Sequence, residues 1–268
     1  MNFKLDPIRR FAFFLIVFAA VATAYQWSPT MLVHLGSTLG FGLVLYMLYS
    51  WVSSKHKNVW DTVITCLIIY LLLHPADTLA AQVYPLAAVF FAETIKFFIE
   101  WKGSPIVNPA ATGLLLTAGA GAIFGVMPFV SWWGASFWSL PMGLAVSTML
   151  LAVWIIGGFN VWRKWAVFFS FLVTFAVLGY AFYRDFTFLG FTYLNSTVYF
   201  IAAIMLPEPK TSPVMPWKQA LYGAFAAALM LVLQNYGVSY AELFGIVGAN
   251  LFNAALKWKP AARVIPVT

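Results

Sequence analysis

Long apolar stretches recur along the whole chain, and short polar segments separate them. Each stretch holds roughly 17–25 residues, which is enough for a helix to cross the hydrocarbon core of a bilayer. The stretches lack the short alternation of apolar and polar residues that marks a transmembrane β-barrel. The pattern therefore predicts an all-α, polytopic membrane protein. We place its ten helices at residues 11–26, 31–53, 60–74, 78–99, 105–127, 140–157, 164–182, 190–206, 216–235 and 240–256.

The composition supports this class and limits the chemistry. The mean hydropathy is +0.87 and only 9% of the residues are charged, far outside the range of soluble domains. The single cysteine, Cys66, excludes an intramolecular disulfide and a cysteine-ligated zinc or iron–sulfur site built from this chain alone. The N-terminal apolar stretch lacks an A-x-A-like cleavage site, so we expect a first helix rather than a cleaved signal.

The basic residues indicate how the helices are oriented. If ten helices alternate in direction, the two termini and the loops after the even-numbered helices share one side, and the other side carries only Arg184. Because basic residues concentrate in cytoplasmic loops, this split predicts that both termini are cytoplasmic. Anionic lipid facing that side accounts for the net charge of +7 without a nucleic-acid partner. The basic residues on the predicted cytoplasmic side are Lys4, Arg9, Arg10, Lys55, Lys57, Lys96, Lys102, Arg163, Lys164, Lys210, Lys218, Lys257, Lys259 and Arg263.

Ten helices divide into two groups of five, at residues 1–139 and 140–268, within a single integral membrane domain. Because five is odd, the second group starts from the opposite face of the membrane, which is the arrangement of an inverted-topology repeat. The predicted fifth helix carries Asn108, and the predicted tenth helix carries Asn250 and Asn253. We expect these two helices to occupy corresponding places in the two repeats.

Residues 92–113 combine an intramembrane carboxylate with a helix entrance rich in proline. Glu93 lies in an apolar helix, where an ionisable group is costly and is usually paired or lines a cavity. Two interpretations stay open: an i,i+3 pair with Lys96, or a place in an ion or proton pathway. Pro105 and Pro109 flank Asn108, so we expect a broken helix in which the Asn amide bonds freed backbone groups or a ligand.

Two loops carry further candidate chemistry. Residues 129–141 mix aromatic and hydroxyl side chains, and they form either an interfacial aromatic belt or a stacking site for a planar cofactor. Residues 205–219 contain four prolines, which predict a rigid, extended connector. Within that connector, Thr211 and Ser212 lie beside Lys210 and offer hydroxyl groups to a phosphate or a flavin edge.

The sequence contains one Asn-Pro-Ala triplet, at residues 108–110, but it does not predict a water channel. Such a channel needs six spans and two copies of the triplet, whereas this chain has ten predicted spans and one copy. No Walker loop, no G-x-G-x-x-G motif and no His-Glu metal motif is present, so we assign no catalytic residue and no metal ligand.

Two segments together resemble a known family. The run KFFIEWKGSPIVNPAATGLLL is similar to the Lys…Gly-x-x-x-x-Asn-Pro-Ala segment of the RnfD/NqrB family, the membrane subunits of Rnf and sodium-pumping NADH:quinone oxidoreductase complexes. The run EPKTSPVMPWKQALYGA is similar to that family's Asp-Pro-x-Thr-Ser-Pro loop, with Glu208 in place of Asp. The resemblance covers roughly residues 80–260. It implies two inverted five-helix repeats in the inner membrane of a prokaryote, electron transport with other subunits of a redox complex, and coupled ion translocation.

The chain departs from the family at the flavin-ester motif. Members that carry covalent FMN present Ser-Gly-Ala-Thr-x-x-Thr, whereas this chain has WGASFWS at residues 133–139, with Ser139 at the acceptor position. We therefore expect FMN or another flavin bound without a covalent link, or no flavin at this site. Under the resemblance, Glu93 is the ion-pathway residue, and the candidate flavin-binding residues are Asn108, Thr112, Trp133, Ser136, Trp138, Ser139, Thr211 and Ser212.

Two other classes of function stay open. An inverted repeat, a broken helix and an intramembrane carboxylate are as typical of an ion or small-solute transporter or channel as of an electron-transport subunit. A scaffold subunit that co-purifies with redox partners is the third class. Fold alone does not separate these three.

Overall fold

The computed structural model describes residues 6–25, 27–55, 57–74, 80–125, 162–185 and 197–257, together with the single positions 130, 132, 134, 152 and 154. The described part of the chain is all-α apart from one short hairpin and an isolated bridge between Leu73 and Val130. The elements are α1 (Pro7–Tyr25), α2 (Pro29–Ser53), α3 (Val59–Leu72), a 3₁₀ turn (Ala80–Gln82), α4 (Val83–Phe98), β1 (Glu100–Trp101), β2 (Ser104–Pro105), α5 (Pro109–Ile123), α6 (Trp165–Tyr183), α7 (Thr197–Phe200), a π-helical turn (Ile201–Met205), α8 (Pro216–Asn235) and α9 (Ala241–Lys257).

These elements coincide, within a few residues, with all of the predicted helices except the sixth and the eighth. The first part of the eighth, residues 190–196, lies outside the described residues. Residues 140–157 lie almost entirely outside the described residues, where only positions 152 and 154 are described, both helical. The count of ten helices and the inverted repeat therefore stay predictions. Within the described ranges, α1, α2 and α6 are long and apolar enough to cross a membrane, and α3 and α5 are shorter apolar helices.

Several helices present apolar side chains outward. Met47 and Trp51 on α2 and Val173 and Val177 on α6 are more than half exposed, although buried apolar residues occupy the opposite faces of both helices. Helices that are apolar on all sides are typical of membrane spans, because the lipid-facing side also avoids water. These helices are therefore compatible with a membrane location.

The start of α5 differs from the predicted one for a local reason. A two-residue turn of Lys102 and Gly103, both with positive φ, pairs β1 with β2 in antiparallel register. Positive φ at both turn positions is what tight hairpins of type I′ require. The hairpin includes Pro105, and residues 106–107 lead from it to Asn108, the N-cap, so α5 begins at Pro109. The helix entrance is a capped start rather than a break.

The helices pack in two groups. In the first group α1 contacts α3, α2 contacts α3 and α4, and α5 contacts α3 and α4. In the second group α6 contacts the π-helical turn and α8, and α9 contacts α8 and that turn. The two groups meet where α5 contacts α9, and where Phe11 and Phe14 of α1 stack on Trp154 at 4.8 and 5.1 Å between ring centroids.

Glycines allow the closest helix contacts within each group. A Cβ added at Gly113 of α5 would lie 2.4 Å from the carbonyl oxygen of Ala88 on α4. A Cβ added at Gly223 of α8 would lie 2.5 Å from the carbonyl oxygen of Val167 on α6. Small residues at such crossings let helix backbones approach closely, which is a main source of packing energy between helices in lipid.

We expect Gly113→Ala to destabilise the protein, because its added methyl group must push α5 away from the backbone of α4. Overpacking of this kind costs about 1–3 kcal/mol. Gly119→Ala is the matched control on the same helix, since a Cβ there meets nothing within 4 Å. Thermal unfolding in mild detergent measures the effect. An unchanged midpoint for Gly113→Ala, with Gly119→Ala as the reference, would contradict the close packing of α4 and α5.

Candidate functional site

Asn108 joins the two groups of helices at the start of α5. Its side-chain oxygen accepts a hydrogen bond from the backbone N–H of Ala111 at 3.0 Å, which caps the helix. Its Nδ2 donates to Glu208 Oε2 at 3.0 Å and to the Met205 carbonyl at 3.4 Å. Its backbone N–H donates to Asn250 Oδ1 at 2.6 Å. Asn108 is buried, and each of these bonds beyond the cap reaches the second group of helices.

Helix α9 supplies the partner amides. Asn250 accepts from Asn108 and donates through Nδ2 to the Tyr222 hydroxyl at 2.6 Å. One turn later, Asn253 donates through Nδ2 to the Thr211 carbonyl at 2.5 Å. The asparagines that the sequence assigned to the fifth and tenth helices therefore come together in one buried hydrogen-bonded cluster.

The proline-rich connector closes on itself around Glu208. The backbone N–H groups of Thr211 and Ser212 donate to the Glu208 carbonyl at 3.3 and 3.0 Å, and the Ser212 hydroxyl donates to the same carbonyl at 2.7 Å. The Thr211 hydroxyl donates to Glu208 Oε2 at 3.3 Å. These bonds make the connector a compact turn rather than an extended segment.

Thr112, in the first turn of α5, is also bonded within the chain. Its hydroxyl donates to the Asn108 carbonyl at 2.9 Å.

The four described candidates for flavin contact thus have partners inside the chain. Asn108, Thr211 and Ser212 are at most 2% exposed, and each polar side chain of the four, Thr112 included, is hydrogen-bonded to a neighbouring residue. The structure brings Asn108, Thr211 and Ser212 around Glu208. It does not offer them as an open set of donors for an isoalloxazine or ribityl group.

The other four candidates, Trp133, Ser136, Trp138 and Ser139, lie outside the described residues. Two described residues, Trp132 and Gly134, flank Trp133 in the sequence. The backbone N–H groups of Trp132 and Gly134 donate to the carbonyls of Leu72 and Leu71 at 3.1 and 2.9 Å. These bonds cap the C-terminal end of α3 at the end of the bundle away from Asn108. The flavin interpretation of residues 133–139 stays a prediction.

A buried ion pair lies beside the asparagine cluster. Glu93 is 0% exposed, and its Oε1 accepts from Lys96 Nζ at 2.5 Å, while its Oε2 accepts from the Thr62 hydroxyl at 3.0 Å. Lys96 Nζ also donates to the Asp61 carbonyl at 3.0 Å. The i,i+3 pair, one of the two interpretations that the sequence left open, is therefore present, and its charges are satisfied from α3 as well as α4.

A second ion pair connects the two groups of helices. Asp61, in the first turn of α3, pairs with Lys210 of the connector at 2.5 Å. Asp61, Lys96, Glu208 and Lys210 line one cavity of about 70 Å³, which we call the charged cavity. Its remaining lining includes apolar residues of α1 and the prolines at the start of α5. Two acids and two bases therefore face one partly open cavity near the helix ends.

Sequence reasoning missed Asp61, Glu208 and Tyr222 as members of this site. Glu208 entered the sequence analysis only as a replacement for Asp. The signal for Asp61 was its position, since a carboxylate in an apolar run needs a partner. That partner, Lys210, lies 149 residues away in the sequence. No local pattern identifies it.

Among the described residues, no group of three or more His, Cys, Asp or Glu side chains is placed to hold a metal ion. No protein-family model matches this chain, and no curated protein matches it either. The resemblance to the RnfD/NqrB family thus rests on the two quoted segments. Function has to be argued from the geometry.

We expect Lys96→Met to destabilise the protein by about 3–5 kcal/mol, because it leaves the buried Glu93 carboxylate without its counter-charge. The double variant Glu93→Leu/Lys96→Met removes both charges and should recover most of that loss. Lys55→Met is the control, since Lys55 is 45% exposed and its partner Glu100 keeps Lys57. An exposed pair of this kind contributes about 0–1 kcal/mol. Denaturant titration in detergent gives the free energies of unfolding, and equal losses for Lys96→Met and Lys55→Met would contradict the assignment.

Glu208 makes stability depend on pH. Burial raises the pKa of this carboxyl from 4.5 to about 7, and the nearby Asp61 charge acts in the same direction, while Lys210, Lys96 and the Thr211 hydroxyl oppose it. A raised pKa in the folded state favours the protonated form. The stabilising contribution is therefore complete below pH 4.5 and is lost as the pH rises through about 7.

We expect Glu208→Gln to remove this part of the pH dependence, because Gln stays neutral and its carbonyl still accepts from Asn108. The measurement compares thermal midpoints of the wild type and the variant between pH 5 and pH 8. Hydrogen bonds from Lys55 and Lys57 lower the pKa of Glu100. This residue contributes the same pH dependence of stability to the wild type and to the variant. Parallel midpoint curves for the two proteins would contradict a raised pKa at Glu208.

Proposed function

We propose that this chain is a membrane-embedded electron-transport subunit of the RnfD/NqrB type, and that its own residues form a cation pathway at the charged cavity. The observation that carries the proposal is the hydrogen bond from Asn108 to Glu208. It joins the two segments on which the family resemblance rests, although they are far apart in the sequence. A chance similarity in two unrelated loops gives no reason for them to meet in one cluster.

The inverted repeat is part of the proposal, and the order of helix contacts supports it. In the first group the contacting pairs are helices one and three, two and three, two and four, three and four, three and five, and four and five. All of these except the pair three and four have a counterpart among the described residues of the second group. If Trp154 belongs to the sixth helix, its indole bond to the Ala203 carbonyl at 2.9 Å pairs helices six and eight. The contacts of α6, α8, α9 and the π-helical turn then supply the pairs seven and eight, seven and nine, eight and ten, and nine and ten.

The proposed orientation puts the charged cavity near the cytoplasmic face of a prokaryotic inner membrane, with both termini cytoplasmic. Lys55 and Lys57 pair with Glu100, and Lys210 pairs with Asp61, so basic residues of separate loops lie close together at one end of the bundle. This grouping is what an excess of basic residues in cytoplasmic loops requires.

The cation pathway is proposed from the pairing of charges. Glu93 is held by Lys96 and Thr62, and Lys96 also donates to the Asp61 carbonyl. A cation or proton that reaches Glu93 replaces the Lys96 ammonium on that carboxylate, and the ammonium keeps its hydrogen bond to the Asp61 backbone carbonyl. Binding then costs less than exposing a bare carboxylate in the membrane, because the carboxylate is compensated before and after the exchange and the ammonium keeps an acceptor.

The described residues supply no redox step. A flavin, if one binds, contributes the electron transfer. The residues proposed to contact it lie at 133–139. The flavin is proposed to bind non-covalently, because Ser139 replaces the family's acceptor threonine. Asn108, Thr112, Thr211 and Ser212 are assigned no flavin contact, since their polar groups bond within the chain. Other subunits of the redox complex are the proposed partners.

The alternative is an ion or small-solute transporter without redox activity. One observation favours it: this chain alone builds the charged cavity, and none of the cavity's lining residues needs a cofactor to complete its contacts. The two candidates share the cation pathway and differ in whether a flavin and redox subunits accompany the chain.

The experiment that separates them uses the full chain, purified from cells grown with riboflavin and reconstituted into vesicles. An electron-transport subunit should show a flavin absorption band that is lost on acid precipitation, and it should co-purify with redox subunits. Vesicles should also show cation flux that falls at least tenfold in Glu93→Gln, whereas Lys55→Gln leaves it unchanged. A colourless protein with intact flux would support the transporter, and a colourless protein without flux would overturn both proposals.

A further inference from the structure

A second cavity, of about 300 Å³, lies between the β1–β2 hairpin and the last turns of α9. We call it the hairpin cavity. Its volume is at the lower limit of the range, about 300–1,000 Å³, in which proteins bind small molecules. The lining residues are Trp101, Ser104, Pro105, Ile106, Lys210, Thr211, Leu251, Asn253, Ala254, Ala255 and Lys257.

The charged groups of this lining are both positive. Lys210 and Lys257 line the cavity, and the lining contains no Asp or Glu. The carboxylate of Asp61 compensates Lys210, but Lys257 forms no salt bridge among the described residues. Lys164 lies near Lys257. Its pKa is lowered to about 8, first by burial and second by the positive charge of Lys257. An anion in the cavity would relieve this repulsion between lysines.

Asn253 gives the cavity an unsatisfied acceptor. The residue is 2% exposed, and its Nδ2 donates to the Thr211 carbonyl, which fixes the orientation of the amide. Its Oδ1 has no hydrogen-bond partner among the described residues. A buried carbonyl oxygen without a partner costs about 1–3 kcal/mol, so a ligand that donates a hydroxyl here would be favoured.

The rest of the lining is apolar. Six of the eleven lining residues have apolar side chains, among them Ile106 and Leu251. Leu251 and Trp101 are about half exposed, at 52% and 49%, so this side of the cavity continues onto the outer surface of the bundle. An exposed Trp beside lysines is the usual composition of a helix end at the membrane interface. A small soluble anion would leave this apolar half unfilled.

We propose that the hairpin cavity binds an anionic glycerophospholipid of the phosphatidylglycerol class. The phosphate lies beside Lys257 and Lys210, a headgroup hydroxyl donates to Asn253 Oδ1, and an acyl chain follows Ile106 and Leu251 to the lipid. Basic pockets between helices at the cytoplasmic side are suited to anionic headgroups. The proposal requires only that the chain is embedded in a membrane, so it stands apart from the redox and cation-pathway proposals.

The test is native mass spectrometry of the full chain, released from mixed micelles that contain phosphatidylglycerol and phosphatidylcholine in equal amounts. The wild type should retain phosphatidylglycerol in preference to phosphatidylcholine. Lys257→Gln should weaken this retention about fivefold, the factor expected when one basic residue near an anionic headgroup is lost. Ala255→Trp should abolish it, because the indole fills the cavity without changing its charge.

Lys218→Gln is the matched control, since Lys218 is a lysine at the same end of the bundle that does not line the cavity. Thermal midpoints without added lipid establish that each variant is folded. Inorganic phosphate and glycerol phosphate at millimolar concentration should not displace the lipid. Equal retention of both lipids, equal losses in Lys257→Gln and Lys218→Gln, or displacement by inorganic phosphate would each overturn the proposal.

Discussion

The start of α5 imposes the constraint on which the rest of the arrangement depends. The first N–H groups of a helix have no partner within the helix, and inside a membrane protein no bulk water replaces that partner. The side-chain oxygen of Asn108 accepts a hydrogen bond from one of these N–H groups. Its Nδ2 donates to Glu208 and Met205, and its backbone N–H donates to Asn250. These partners lie on α9, the connector and the π-helical turn, whereas the cap bond itself lies within the start of α5. Helix capping and the docking of the two groups therefore depend on the same residue.

Docking in turn places the charged residues. The connector that carries Glu208 also carries Lys210, which reaches across to Asp61 at the start of α3. Lys210 lines both the charged cavity and the hairpin cavity. Because Asp61 compensates its charge, Lys210 separates a cavity that contains both signs from one that contains only positive groups. The position of one ion pair thus gives two neighbouring spaces different electrostatic characters.

The sequence predicted what depends on local pattern. Helix bounds follow from long apolar stretches, and the Glu93–Lys96 pair follows from i,i+3 spacing on one helix. The predicted start of α5, at residue 105, is four residues earlier than the observed start at Pro109, because no local pattern indicated the hairpin turn at Lys102–Gly103. The Asp61–Lys210 pair and the bonds around Glu208 join residues that only the tertiary fold brings together, and spacing along the chain carries no information about them.

The bonds of the asparagine cluster also change what the family resemblance means. Asn108, Thr211 and Ser212 belong to the segments that carry it. Asn108 bonds the connector to the start of α5, and the hydroxyls of Thr211 and Ser212 bond to Glu208 within the connector. Any chain with this arrangement of helices needs such bonds, whether it moves electrons, ions or a solute. The resemblance at these positions is therefore evidence about the fold before it is evidence about a cofactor. Chemistry that distinguishes the functions has to come from other groups, and the group proposed for the cation pathway is the Lys96 ammonium, which bonds Glu93 and lines the charged cavity.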